Sequence, residues 1–267
     1  MKTGSVKSLT ILEAKDFKRS AFFKNSLINN SVTVFISLVG AWRFFSLRLR
    51  NKIKSCLKKQ GCQLSNNDTV GKAFLNFKVQ GYQKLNIGGG RKNLKGFVNI
   101  DFISYPGVER QIQANILDLK FIPDGSVSHV HSNHLVEHLT AQEFREQLAQ
   151  YYRILETGGL LTLRCPNILG VCYGFWFEVV PEVKKERFLS LGFPEDEDFY
   201  NPQDGWYHKN FYGFLHWVYG DVGNIANQHL NIFTPSVMRA AVQTAGFDVV
   251  EMSDPESSNL IVLARKG

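Results

Sequence analysis

From residue 80 onward the apolar positions fall into short runs separated by stretches of helical spacing. Leu85 and Ile87 stand in KLNI, just ahead of three glycines. FVNID follows and ends at Asp101, and further short runs lie around residues 110–115, 127–132 and 160–167. Thr140-Ala-Gln-Glu143 has the form of a capping box, in which side chain and backbone satisfy each other's orphan groups at a helix start. The helix it opens carries Phe144, Leu148, Tyr151, Tyr152 and Leu155 along one face, and Gly158-Gly159 is its expected end. Thr234-Pro235 opens a second helix over 235–245 that stops at Gly246. FDVVEM and NLIVLAR read as a closing antiparallel strand pair joined near Pro255. Strands alternating with helices predict an α/β domain over residues 80–267 with a mostly parallel sheet.

The glycines Gly88, Gly89 and Gly90 allow a tight turn and close backbone approach to a ligand. Asp101, at the tip of the second strand, is placed to accept hydrogen bonds from ribose hydroxyls. Gly88 and Asp101 are only 13 positions apart, and RKNLKGF alone separates Gly90 from the second strand. A parallel crossover containing a helix needs about a dozen residues or more, so the first helix is at most a turn. A diphosphate would lack the long helix whose N-terminus it normally occupies. The spacing therefore favours a cofactor with a sugar and a base over a nicotinamide dinucleotide, and counts against an NAD-dependent oxidoreductase. Asn115 and Asp118, after the third strand, are candidates to meet an adenine amino group, with Ile116 covering the ring and offering its backbone N–H. Asn133 and His134 fall at the carboxyl end of the fourth strand, where open α/β sheets bind ligands. His131, His134 and His138 crowd this stretch, and His134-x-x-Glu137-His138 has the order of inverted zinc-protease motifs. Its place between a strand and a capped helix in a nucleoside-binding pattern argues for packing or capping roles, and no metal site is expected.

KLNIGGG, the short gap to FVNID, NILDLKF, NHLVEHL and RILETGGLLTLRCPN, in that order, resemble a class I S-adenosylmethionine-dependent methyltransferase of the type 11 group. The resemblance implies a Rossmann-like, doubly wound sheet of seven strands with the last antiparallel, and S-adenosylmethionine as cofactor. On that mapping Gly88 and Gly90 line the methionine and ribose side of the loop, with Asn86 and Gly89 counted among the cofactor-binding positions. Asp101 takes the ribose, Asn115 and Ile116 meet the adenine, and Asn133 and His134 close the sulfonium side. The family often has Cys at Gly89 and Asp at Asn115 and Ser128; an amide oxygen still accepts a hydrogen bond.

The chain has 267 residues and a net charge of +7, unevenly placed. Residues 1–72 hold 14 Lys/Arg against 3 Asp/Glu, and the remainder 17 against 21. A mildly acidic catalytic part gives no support to nucleic-acid binding. The extension, 1–72, contains an apolar run, Val32–Trp42, too short to span a bilayer. Residues 43–59 follow with seven basic side chains and no acidic one. Residues 32–59 suit peripheral contact with an anionic membrane surface, or packing on the domain, and 60–71 read as a linker. Cys56, Cys62, Cys165 and Cys172 form neither a disulfide framework nor a zinc pattern; the expected setting is cytoplasmic. Residues 168–233 are rich in aromatics and read as an acceptor-side insertion for a small molecule, a saccharide or lipid-linked sugar being one candidate. His208, His216 and His229 are its candidate bases, with His229 preferred because HLNIFTP leads into the helix at Thr234; His134 is the second catalytic candidate. The non-enzymatic alternative is a cofactor-binding adaptor.

Overall fold

The computed structural model describes residues 67–177, 185–195, 211–221, 227–255 and 257–267. The chain divides into two compact units, Met1–Gly61 and Cys62–Gly267. The membrane-contact expectation for residues 32–59 lies outside the described residues, as do His208 and much of the aromatic insertion. Among the described residues, no helix is long and apolar enough to cross a membrane.

The second unit is built on seven strands: β1 Lys84–Ile87, β2 Phe97–Asp101, β3 Gln111–Gln113, β4 Val127–Asn133, β5 Leu155–Pro166, β6 Phe247–Met252 and β7 Asn259–Lys266. Their order across the sheet is β3-β2-β1-β4-β5-β7-β6. Strands β1 to β5 pair in parallel. β7 runs antiparallel to both β5 and β6. The chain steps outward from β1 to β3, then returns to β4 on the other side of β1. That reversal opens a crevice at the carboxyl ends of β1 and β4, the usual ligand position in such sheets.

Strand alternation divides the sheet into two chemically different faces. Leu85, Ile87, Val98, Ile100, Val130, Leu161, Leu163, Val262 and Ala264 form the main core. Three helices supply the rest of it: α1 (Asn67–Val79) with Val70 and Phe74, α2 (Ala141–Ile154) with Phe144, Leu148 and Tyr151, and α6 (Pro235–Thr244) with Met238 and Val242. Each such side chain, fully buried, contributes about 1.5–3 kcal/mol. The register places Asn86, Asn99, His129, His131, Thr162 and Arg164 on the opposite face. There α4 (Lys185–Ser190) and the turn after it cover Ile261 and Leu263 with Phe188 and Phe193. α3 (Ile168–Phe177) and α5 (Phe211–Tyr219) are joined by a stacked Phe175–Phe214 pair at 4.5 Å.

Two elements differ from the sequence reading. Residues 67–71, expected as linker, begin α1, because Val70 and Phe74 reach the core. Helix α2 ends at Ile154 rather than at the glycines. Leu155 already pairs with Val127, and the ladder shifts register before resuming at Leu160. Glu156–Gly159 is thus an excursion within β5, with Gly158 at φ 79°. The capping box forms as read: Glu143 N–H donates to Thr140 Oγ1 at 3.2 Å, and Thr140 N–H to Glu143 Oε2 at 2.9 Å. No helix lies anywhere between β1 and β4.

Candidate active site

The glycine turn after β1 is held by side chains on the polar face of the sheet. Gly88 N–H donates to Ile100 O at 2.8 Å, and Asn99 Nδ2 donates to Gly90 O at 2.9 Å. A Cβ on Gly89 would lie 1.9 Å from Asn99 Oδ1 and 2.0 Å from Asn86 Nδ2, so the absence of a side chain there is a packing requirement. Asn86 is 1% exposed, and neither polar atom of its side chain has a hydrogen-bond partner. It lies underneath the loop, not in front of it. Gly90 differs: its φ is 56° and a Cβ there would meet nothing within 4 Å. The open side of the turn is therefore at Gly90.

Asp101 fastens this turn. Its Oδ2 accepts from Gly90 N–H at 2.9 Å and its Oδ1 from Ile103 N–H at 3.4 Å. A carboxylate has about four lone-pair sites, so acceptor capacity is left over. Beyond it, Arg91 lies over the Tyr105 ring at 5.8 Å. Burial and the Asp101 charge push the Tyr105 hydroxyl pKa up. After β3, Asn115 Oδ1 accepts from Leu117 N–H at 3.0 Å, an Asx turn. Ile116 is 3% exposed and part of the main core, which corrects the expectation that its side chain covers a ligand ring. Only its backbone can serve there.

The end of β4 comes next to the glycine turn through Leu135, which a Cβ on Gly88 would strike at 2.9 Å. Asn133 ends the strand half-buried. His134 has φ 50°, the only described non-glycine residue with positive φ. Such strain persists where the surroundings enforce it, and it clusters at functional positions. His134 Nδ1 lies 2.8 Å from Glu137 Oε1. Glu137 sits in a short 3-10 turn, Val136–His138, and its side chain is 2% exposed against 37% for His134. Burial alone would raise the Glu137 pKa. The His134 hydrogen bond first, then the electrostatic influence of the His134, His138 and His229 side chains, outweigh it and hold the carboxyl below its ordinary value. Glu137 is therefore an anion, and His134 Nδ1–H donates to it, leaving the imidazole lone pair on Nε2.

A distant segment closes over this turn. Leu230 N–H and Asn231 N–H both donate to Glu137 O, at 2.7 and 3.0 Å. His138 Nδ1 reaches Gln228 O at 3.0 Å, and His229 Nδ1 reaches Trp217 O at 3.1 Å. The His138 and His229 rings lie 5.1 Å apart, and Trp217 lies edge-on to His134 at 6.1 Å. His229 thus joins His134 at the carboxyl end of β4. Burial pulls its pKa down to about 4, with Glu137 opposing and His138 and His134 reinforcing the shift. His131 does not join the cluster. It lies on the polar face of the sheet, its Nδ1 2.7 Å from Thr162 Oγ1. Phe193 and Phe214, two of the insertion's aromatics, are buried packing residues.

A family model described as a methyltransferase domain matches residues 96–163, from the start of β2 into β5. The matched residues identify this part of the chain as a methyltransferase domain. No curated protein matches the chain. Among solved structures it is similar to the Burkholderia thailandensis 1,6-didemethyltoxoflavin-N1-methyltransferase bound to 1,6-didemethyltoxoflavin and S-adenosylhomocysteine. That match has 13% identity and a TM-score of 0.42, over 83% of this chain and 88% of that one. An S-adenosylmethionine-dependent methyltransferase from Mesorhizobium loti matches at 10% identity and TM-score 0.41, over 69% and 90%. Human N-acetylserotonin methyltransferase in complex with SAM matches at 13% identity and TM-score 0.39, over 76% and 52%. Likeness this distant says nothing of an acceptor. Glu137, weighed from sequence only as a metal ligand, and Trp217, one of many aromatics in the insertion, prove to be neighbours of His134. The three-residue step from His134 to Glu137 was a usable signal for the first; the aromatic richness of residues 168–233 did not single out the second.

Proposed function

We propose that the protein transfers a methyl group from S-adenosylmethionine to a hydroxyl or amine of a small-molecule acceptor, with His134 as the general base. The observation that carries this reading is the His134–Glu137 pair at the carboxyl end of β4, beside the glycine turn. The turn suits a nucleoside cofactor on this chain's own features: the open side at Gly90 and the spare acceptor capacity of Asp101. Asp101 would hold the ribose, while Asn133 and the backbone at Asn115 and Ile116 would border the rest. When bound, S-adenosylmethionine supplies a methyl group on a positively charged sulfur.

The protein's own part is positioning and proton removal. Glu137, buried and anionic, fixes the ring of His134 and its tautomer. His134 Nε2 then accepts the acceptor's proton, and the resulting imidazolium is stabilised by the carboxylate 2.8 Å from its other nitrogen. His229, the base preferred from sequence, is less suited: with a pKa of about 4 it holds a proton too weakly near neutral pH. A saccharide or lipid-linked sugar is the acceptor class we favour, because Trp217 offers an aromatic surface beside His134.

Calorimetric titration with S-adenosylmethionine, and separately with NAD, tests the cofactor. We expect the first to bind and the second not. Asp101→Ala should weaken S-adenosylmethionine by about 10–100-fold, on the scale of one or two charge-assisted hydrogen bonds. Unchanged affinity in that variant would overturn the ribose assignment, and no binding to the wild type would overturn the reading itself. A labelled-methyl screen over sugars, lipid-linked sugars and small aromatics identifies the acceptor.

A further inference from the structure

Glu137, His138 and His229 each bring one ligand-type atom within 4.8 Å of the others. Two features of this cluster go beyond a packed group of polar residues. Glu137 Oε2 is buried and has no hydrogen-bond partner, although Oε1 is engaged by His134. A buried anionic oxygen left without a donor is costly, and a cation is the group that satisfies it best. The two imidazoles are oriented through their other nitrogens. His138 Nδ1 is 3.0 Å from Gln228 O, and His229 Nδ1 is 3.1 Å from Trp217 O. A carbonyl oxygen only accepts, so each ring donates Nδ1–H and carries its lone pair on Nε2. Metal-bound histidines show the same arrangement, donating the second ring N–H to a carbonyl or carboxylate.

We infer that Glu137, His138 and His229 form a binding site for one divalent first-row transition-metal ion. Two imidazoles and one carboxylate make the donor set that zinc uses in open sites and that iron(II) uses in facial triads. Ligand distances of about 2.1 Å require the three atoms to draw closer than they stand here. Glu137 spans both functions: Oε1 orients His134, and Oε2 holds the ion. The ion would also cross-link the turn after β4 to the segment some 90 residues later, which Leu230 and Asn231 already tie by their backbones. From sequence, metal was set aside because the segment lies between a strand and a capped helix in a nucleoside-binding pattern; the fold adds His229, from far along the chain, to Glu137 and His138.

The site stands apart from the methyl-transfer reading, since ion binding and S-adenosylmethionine binding are measured separately. The full chain is stripped with a chelator, dialysed, and titrated with Zn²⁺ by calorimetry and with Co²⁺ by absorption. We expect one ion per chain, a raised melting temperature with Zn²⁺, and visible cobalt bands without the near-ultraviolet band of a cobalt–thiolate bond. His229→Gln should weaken Zn²⁺ binding by more than about tenfold, and His216→Gln should leave it unchanged. Glu137→Gln should do the same as His229→Gln; should it fail to fold, the wild-type stoichiometry, the cobalt spectrum and His229→Gln still decide. Substoichiometric binding, a thiolate band, or equal affinity in His229→Gln overturns the site.

Discussion

The glycine turn after β1 and the histidine cluster after β4 lie at the same edge of the sheet but are made in opposite ways. The turn is local: everything from Asn86 to Asp101 lies within 15 positions. Asn86 and Asn99 lie beneath Gly89, and Asp101 is pinned to Gly90 while keeping acceptor capacity to spare. The cluster is non-local. It joins His134, Glu137 and His138 to Gln228 and His229, and its side chains form the working surface. A backbone turn can bind a ligand with few charged groups. A cluster of titratable groups can move protons or hold an ion, but it depends on contacts from across the chain. If the turn binds the cofactor and the cluster performs the chemistry, as proposed, mutations should separate the two.

The largest effect falls on the cluster. His134→Ala should lower turnover by about 10²–10⁴-fold, the range for a general base. Affinity for S-adenosylmethionine should stay nearly unchanged. Single-turnover rates together with cofactor titration read the two quantities; a comparable loss in both would mean that His134 shapes the cofactor site instead. Two neighbouring glycines give the next contrast. Gly89→Ala drives a Cβ into buried Asn86 and Asn99, and should destabilise the fold by about 1–3 kcal/mol. Gly90→Ala meets no atom and costs only the strain of its positive φ, about 1–2 kcal/mol, but its methyl enters the open side of the turn. It should weaken S-adenosylmethionine by more than the stability loss explains. Denaturant melts with and without cofactor check both, and normal cofactor affinity in Gly90→Ala would place the ligand elsewhere.

The same contrast explains what could be read from the residues alone. The turn was legible because its logic is sequential: glycines, a gap too short for a helix, then an acid at a strand tip. The capping box at Thr140 and the Thr234-Pro235 helix start were legible for the same reason, since each satisfies its own neighbours. The side chain of Ile116 was misplaced, though not its backbone, because an apolar residue beside a candidate site can turn either way, and here the core took it. His131 was grouped with His134 and His138 by proximity, though strand alternation puts it on the sheet face shared with Thr162. The approach of His229 to Glu137 depends on how the chain returns after α5, and no local pattern encodes that.

A histidine that belongs to neither region gives the smallest test. His129 lies on β4 facing away from the core helices, its Nε2 2.9 Å from Thr162 Oγ1. Burial first, then the neighbouring His131 and Lys84, hold its pKa well below the ordinary 6.5. The unfolded chain therefore takes up a proton at this residue at a higher pH than the folded one. The stability tied to neutral His129 is complete above pH 6.5 and is lost as pH falls from there toward the depressed folded value. His129→Gln, which keeps a partner for Thr162, should lose stability less steeply than the wild type between pH 7 and 5 in urea melts. Cofactor affinity and Zn²⁺ binding at pH 7 should both be unaltered, because His129 touches neither the glycine turn nor the cluster. An identical pH slope in the variant would mean that His129 accepts its proton in the folded sheet. A change in either ligand would mean that the polar face of the sheet couples the two regions rather than merely supporting them.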